Sequence, residues 1–526
     1  MAATLSVSIN QNQGHLVYAL DDPYIHMAMA RNFSQHHVWG ATRDAFTSSS
    51  SSLFWTLVLS LSYYLLRVHN VVPLLWNLVF SLLALLAVYV VLSWYRVSPV
   101  AKLITLLGLI LFLPLSALIM IGMEPPLQIL ASLLMVFIAA RWISGEAPER
   151  ARRDSIGLLM LAPVATGVRF EGLFLIIAIA ALLLFVKRWL YALAFALLGA
   201  LPVVCYGLIS VSKGWYFLPN SVLLKATTPE FASAGRMIFS LLFPIAEHAR
   251  MALHVPALLI AVLLMYLAAS GKGSGACESR QLMGTIVLLA GIAHMEFVRP
   301  TLLFRYDGYL TTLCLVLLAA QIPVVAPRWP RLRALSTWAV PRNVAVAALI
   351  LAFAFPLAME GGALLWQVPQ CTTNIYEQQY QMALFIRKNY QGASVALNDV
   401  GAVDYLADIH CLDLWGLATL PVAKARRNHH YGAEEIAALS RQAQVKIAII
   451  YDDWFAGSVP PDWRRVGTWT IRNNIVAGGD TVSIYAVQPE ETPHLVQSLR
   501  DFYFQLPSDV IQRGPYLTWA EHSAGH

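Results

Sequence analysis

"YALDDPYIHMAMARN", Tyr18–Asn32, sets two adjacent carboxylates, Asp21 and Asp22, at the head of a helix-like run. The chain around it avoids charge. Of 526 residues, 58% are hydrophobic and only 13% charged, where a soluble globular domain carries about 25% charged residues. Mean hydropathy is +0.60. The runs Val72–Trp94, Ala101–Ile121, Leu127–Trp142, Tyr191–Ser210, Ala252–Ser270, Gln281–Val298, Leu310–Ala326 and Val344–Leu365 are each long enough, or nearly so, to cross a roughly 30 Å hydrocarbon core. Ser155–Val168 and Gly172–Val186 are shorter and read as a tight pair of spans meeting at "RFEG", Arg169–Gly172. The sequence therefore predicts a mainly α, polytopic membrane helix bundle of about ten spans.

A pI near 9.0 and a net charge of +6 would suit a nucleic-acid binder, but the basic residues are spread along loops with no aromatic-interleaved patch. They read instead as topology signals. One set of short loops holds Arg96, Lys102, Arg141, Arg150, Arg152, Arg153, Lys187, Arg188, Lys272, Arg280, Arg328, Arg331, Arg333 and Arg342, and is expected to face the cytoplasm. The alternate loops then face outward: Asp21–Asp22, "GMEPP" (Gly122–Pro126), "RFEG", "GWYFLPNS" (Gly214–Ser221), "RPTLLFRYDGY" (Arg299–Tyr309) and the C-terminal region. Almost every chemically interesting cluster falls on one face.

Met1–Leu20 is too polar to span and lacks the basic and apolar parts of a signal peptide. Either the first hairpin carries it outward or a span precedes it, and the preceding span is the expectation. Ile25, Met29 and Phe33, four residues apart with Pro23 in the first turn, predict an amphipathic helix lying in the membrane interface. The run Ser48–Ser52 reads as a flexible lead-in. "LFWTLVLSLSYYLL", Leu53–Leu66, reads as a second interfacial or re-entrant helix, because an eleventh span would invert every later loop. The organisation expected is residues 1–70 for the N-terminal segment and first external loop, 71–365 for the bundle, and 366–526 for an extracytoplasmic α/β domain. In that last part strand-like runs alternate with helical ones. Of the five cysteines, Cys371 and Cys411 are left as a pair in an exported domain or as two free thiols.

Ionisable groups at membrane depth are costly and default to function. A paired carboxylate at the boundary serves as general base or holds a divalent cation, and like charges push the two pKa values apart. The plain alternative is a helix cap with first-turn charge. Lys225, Arg299 and Arg305 form an outward set of cations suited to a lipid-linked phosphate, against pairing with Glu296 and Asp307. Glu124, Arg169 and Glu171 read as an ion-paired group shaping the pocket.

These residues also carry a resemblance. "LDDPYIHMAMARN" followed by "TSSSSSLFWTLVL" (Thr47–Leu59) resembles the "DDAYI…ARN…TSPLWTLLL" signature of the GT-C superfamily of polyprenyl-phosphate-dependent glycosyltransferases. The group most similar is that of the bacterial multispanning arabinofuranosyl- and mannosyltransferases. "IGMEPPL" (Ile121–Leu127) is similar to that family's "SGMETPL", "VRFEGL" (Val168–Leu173) to "xRPEGL", and "FLPNSVLLK" (Phe217–Lys225) to "LPNTFYAK". "LFRYDGYL" (Leu303–Leu310) matches its "RY…YL" segment, and Val395–Leu417 its soluble tail. The chain departs in lacking a span before Asp21, in serines for "SP", and in Phe170 for the Pro of "RPEG".

The resemblance implies a GT-C bundle beneath an extracytoplasmic domain in the bacterial inner membrane. It implies transfer of a sugar from a polyprenyl-phosphate donor to a glycan, lipid or protein acceptor. Asp21 matches the family's catalytic aspartate, with Asp22, Glu124, Arg169, Glu171, Asn220, Lys225, Arg299, Arg305 and Tyr306 expected to bind substrate. No cofactor is required. A divalent cation held by Asp22 and Glu124 is allowed by the same residues. The rival reading is a multispanning transporter or lipid flippase, for which related halves with interrupted spans are expected and are not seen. A third is a scaffold whose exported domain binds partners.

Overall fold

Where water is excluded, an apolar run satisfies its backbone only as a helix or a closed barrel, and here it does so as helices. The computed structural model describes residues 1–223, 234–269, 275–332 and 342–517. Among them Val72–Trp94, Pro125–Ser144 and Trp189–Ser212 are each long and apolar enough to cross a membrane, and Phe243–Met251 with His254–Ala269 passes as a pair bent by 104°. The shorter apolar helices Leu53–Leu66, Pro99–Leu111 and Gly172–Phe185 fill out the bundle. The run expected as one span over Ala101–Ile121 is broken: one helix ends at Leu111 and a short second, Leu115–Met120, follows Pro114. Proline lacks the N–H that would continue the ladder.

The first helix, Ala2–Gln11, packs along the last long one, Arg342–Ile375. Asn12 donates to Thr372 Oγ1 at 3.2 Å, and the Tyr376 hydroxyl donates to Gln13 at 3.0 Å. The N-terminal segment thus lies at the end of the bundle from which the C-terminal domain emerges. The long helix runs past Leu365 and through Pro369, then widens into a π-type turn at Tyr376–Tyr380 before the helix Gln381–Asn389.

Beyond it the chain forms a six-stranded sheet of order β2-β1-β3-β5-β4-β6, with β1 Ser394–Leu397, β2 His410–Asp413, β3 Ile447–Ile450, β4 Arg464–Thr470, β5 Thr481–Ala486 and β6 Ile511–Arg513. β1 lies parallel to both β2 and β3, and the remaining pairs are antiparallel. Val395, Leu397, Ile447 and Ile449 face one buried cluster while Ala396, Ala448 and Ile450 face another. Helices therefore cover both faces, which explains why β3 reads as a continuous apolar run rather than an alternating one. β6 and the short helices Gly401–Leu406 and Leu420–Arg427 carry too little periodicity to be read from sequence.

Two expectations about the first external loop are overturned. The helix Asp22–His36 does not lie with an apolar stripe against lipid. Ile25 and Met29 enter the apolar cluster of the C-terminal domain, while Tyr24, Met27, Ala28 and Ala30 enter that of the bundle. The serine run is an ordered, buried connector. The Ser49 hydroxyl donates to the Leu417 carbonyl at 2.8 Å, Ser210 donates to Ser48 at 2.9 Å, and Ser50 lies 3.1 Å from the Thr56 hydroxyl. Small hydroxylated residues pack closely between helices and still satisfy their polar groups. Cys371 and Cys411 are both free thiols.

Candidate active site beneath the C-terminal domain

Pro23 occupies the first turn of the Asp22–His36 helix, with Asp21 at its N-cap. Neither aspartate serves that cap through its side chain. Asp21 turns to the C-terminal domain, where its two oxygens accept from the amides of Gly401 and Ala402, each at 2.8 Å. A Cβ on Gly401 would lie 2.2 Å from the Asp21 carbonyl oxygen and 2.6 Å from Oδ2, so this approach requires glycine. Burial, then the charge of Asp399, pushes the Asp21 pKa well above the usual carboxylate range, against the pull of the two amides.

Asp22 turns the other way and forms an ion pair with Arg305. Arg305 lies 5.0 Å from the Tyr306 ring centroid, and Arg169 lies 4.4 Å from the same ring. Arg169 in turn donates to Glu124 Oε1 at 2.6 Å and, in a fork, to Glu171 at 2.6 and 3.0 Å. The chain so formed is Asp22–Arg305–Tyr306–Arg169–Glu124/Glu171. Glu124 is wholly buried, yet its Oε2 has no hydrogen-bond partner, nor has Arg305 Nε. Gly122 makes the sharp entry to Glu124: its φ is +73°, and a Cβ there would meet the Tyr18 ring at 2.5 Å.

Asn220 is brought to the same end of the bundle as a docking residue. Its amide side chain donates to the Gly416 carbonyl at 2.7 Å and its backbone N–H to Ser48 at 2.8 Å. Arg299 is exposed and forms no ion pair among the described residues. Lys225 lies outside the described residues. Asp22 and Glu124 each face a guanidinium, and no three His, Cys, Asp or Glu side chains converge on a metal-sized space among the described residues. That arrangement does not offer a divalent cation a ready set of oxygens.

Several polar contacts here were not anticipated. His26 Nδ1 lies 2.8 Å from Thr56 Oγ1, and burial drops the His26 pKa to about 4, so the ring is neutral at pH 7. His254 bridges Asp307 at 2.8 Å and Glu360, which removes Asp307 as a partner for the cations. His294 Nδ1 is 3.3 Å from the Tyr309 hydroxyl. An ionisable residue inside an apolar run is the signal that marks His254, His294 and Glu360.

The helix bundle joined to a small sheet domain has the GT-C type of fold. Among solved structures it is similar to ArnT from Cupriavidus metallidurans bound to undecaprenyl phosphate, at a TM-score of 0.53 and 14% identity over 93% of this chain and 97% of that one. The apo state of the same protein matches at 0.52, with equal identity and coverage. The Archaeoglobus fulgidus oligosaccharyltransferase in complex with zinc and sulfate matches at 0.48 and 12% identity, over 97% of this chain and 74% of that one. Residues 373–485 match the model of DUF8728, a domain of unknown function. No curated protein matches the chain.

Proposed function

We propose that the protein is an inner-membrane glycosyltransferase that moves a sugar from a polyprenyl-phosphate donor to an acceptor on the side of its C-terminal domain. The observation that carries this reading is convergence. Asp22, Glu124, Arg169, Glu171, Arg305 and Tyr306, drawn from loops far apart in sequence, form one contact chain at the end where the C-terminal domain sits.

The resemblance implies Asp21 as the base; on the geometry we propose Asp22 instead. Both Asp21 oxygens are committed to amides of the C-terminal domain, whereas Asp22 keeps about a quarter of its side chain exposed at 26% and meets a cation. In the reaction proposed, donor phosphate competes for the Arg305 guanidinium and draws it away from the Asp22 carboxylate. Asp22 takes the proton of the acceptor hydroxyl as its oxygen attacks the anomeric carbon. The bond from that carbon to the phosphate oxygen breaks, and polyprenyl phosphate leaves with the electron pair, usually with inversion in enzymes of this fold. An anionic leaving group held by fixed positive charge needs no general acid. Arg169, clamped by two carboxylates and stacked on Tyr306, positions Tyr306 and through it Arg305. The described cluster holds two guanidiniums against three carboxylates, so the donor phosphate needs further positive charge. Arg299 and Lys225 are the residues proposed to supply it.

The test is release of polyprenyl phosphate from a labelled polyprenyl-phosphate sugar by protein reconstituted in nanodiscs. Asp22→Asn is expected to cut the rate by about 10²–10⁴, the usual contribution of a general base, while thermal stabilisation by polyprenyl phosphate persists. Asp21→Asn is expected to loosen the C-terminal domain first. An active Asp22→Asn beside a folded, inactive Asp21→Asn would reverse the assignment, and absence of donor consumption by wild type would remove the transferase reading.

A further inference from the structure

The C-terminal domain carries a second cluster that the transfer chemistry does not use. The basic run "KARRNHH", Lys424–His430, begins in the last turn of the short helix Leu420–Arg427 and continues past it, and beside it opens a groove of about 340 Å³ lined by Arg426, His429, Tyr431, Trp454, Phe455 and Ser458. Its lining residue Trp454 belongs to an aromatic ladder. Tyr451 and Trp454 have ring centroids 5.2 Å apart, Trp454 and Trp415 4.4 Å apart, and the Arg426 guanidinium lies 3.7 Å over the Trp415 ring.

A guanidinium stacked on an indole has its face occupied and its five in-plane N–H donors still to satisfy. Among the described residues those of Arg426 have neither an ion-pair nor a hydrogen-bond partner. The carboxylate that attracts it electrostatically, Asp413, is already engaged: its oxygens accept from the amides of Trp415, Gly416 and Ala418 at 2.7, 3.1 and 2.6 Å. The Trp454 indole N–H is also spent, on the Gly478 carbonyl at 3.2 Å, so what this residue offers the groove is ring surface. The groove therefore presents aromatic surface, a hydroxyl at Ser458, an imidazole at His429 and one guanidinium fork.

Aromatic surface accepts the C–H face of a sugar ring, and a guanidinium fork matches a carboxylate or phosphate oxygen pair. We propose that this groove is a binding subsite for an acidic glycan, one whose sugar ring carries an anionic substituent. It rests on the transferase reading only in one respect, that the glycan so held is part of the acceptor. Continuity with the bundle supports that link. Arg427 lies 4.7 Å from the ring of Tyr216, in the same external loop as Asn220, and Asn220 bonds the Gly416 carbonyl next to Trp415.

The test titrates trigalacturonate, maltotriose and inorganic phosphate separately into the full-length protein in nanodiscs, read by tryptophan fluorescence and calorimetry. Trigalacturonate is expected to bind and to weaken with salt, with maltotriose at least about tenfold weaker because it brings no anion to the guanidinium fork, and phosphate at least about tenfold weaker because it brings no ring to the aromatic surface. Arg426→Ala should lose about tenfold or more, Arg426→Lys less, and Trp454→Ala should lose affinity for the sugar with its melting temperature kept. Equal binding of maltotriose, equal binding of phosphate, or an unchanged Arg426→Ala each overturns the proposal. Trigalacturonate binding without donor consumption would leave the subsite standing and remove the transferase reading. Donor consumption without trigalacturonate binding would do the reverse.

Discussion

Two arginine–aspartate pairs at different places in the bundle differ in how completely they are closed off. Arg141 and Asp154, thirteen residues apart, form a closed bidentate pair with bonds of 2.8 and 2.5 Å. The Arg141 guanidinium also stacks at 5.0 Å on Trp94 and 4.8 Å on Phe137, and none of its or Asp154's polar atoms is left buried without a partner. The Asp22–Arg305 pair is open. Asp22 is 26% exposed, Arg305 Nε has no partner, and Glu124 nearby has a spare oxygen. A closed pair holds helices together, and an open one is a place where a charged ligand can exchange for a protein group. The expected orientation puts the closed pair on the cytoplasmic side and the open one outside.

The comparison can be broken in order of effect. Arg305→Ala is expected to lower donor turnover by 100-fold or more, since removing a charge-assisted phosphate contact costs on the order of 3 kcal/mol, with little change in melting temperature. Asp154→Ala should do the opposite. It strands a buried guanidinium, at a cost of about 3–5 kcal/mol, and should lower the melting temperature without changing polyprenyl phosphate affinity. If Asp154→Ala weakened the lipid as much as Arg305→Ala does, the distinction between the pairs would fall.

Gly401→Ala probes how the open end is closed over. Its new methyl meets the Asp21 carbonyl, and overpacking of this kind costs about 1–3 kcal/mol. Faster proteolysis between the bundle and residues 381–517 is the expected readout. The smallest effect is a slope. Asp404 is buried on the helix that Asp21 docks against, and burial followed by Asp413's charge raises its pKa to about 8. The folded protein therefore holds a proton there that the unfolded chain releases near pH 4, so stability falls as pH rises from about 4 to about 8 and levels above. Asp404→Asn should flatten that fall in a series of melts across the window.

Much of this architecture is legible in the chain. The apolar runs mark most of the helices, and Ser394–Leu397, Ile447–Ile450 and Thr481–Ala486 are readable as strands because short, mostly apolar runs bounded by turns admit little else. Charge bias alone sorts Asp22, Glu124, Arg169, Glu171 and Arg305 onto one face. Other features are not legible. The stripe Ile25–Met29 suits lipid or a second protein core equally well, since both are apolar. The serine run has no period of its own, and much of its order comes from Tyr206, Ser210, Asn220 and Leu417, residues distant in sequence.

By itself the sequence determined that this is a membrane helix bundle with a sheet domain and with most of its charge kept to loops and helix ends, because transfer of charge into hydrocarbon is costly. Only the tertiary structure decided which of two adjacent aspartates meets the guanidinium and which meets the domain above. Neighbouring residues at a helix start have the same composition and opposite directions, and direction is set by what packs against each of them.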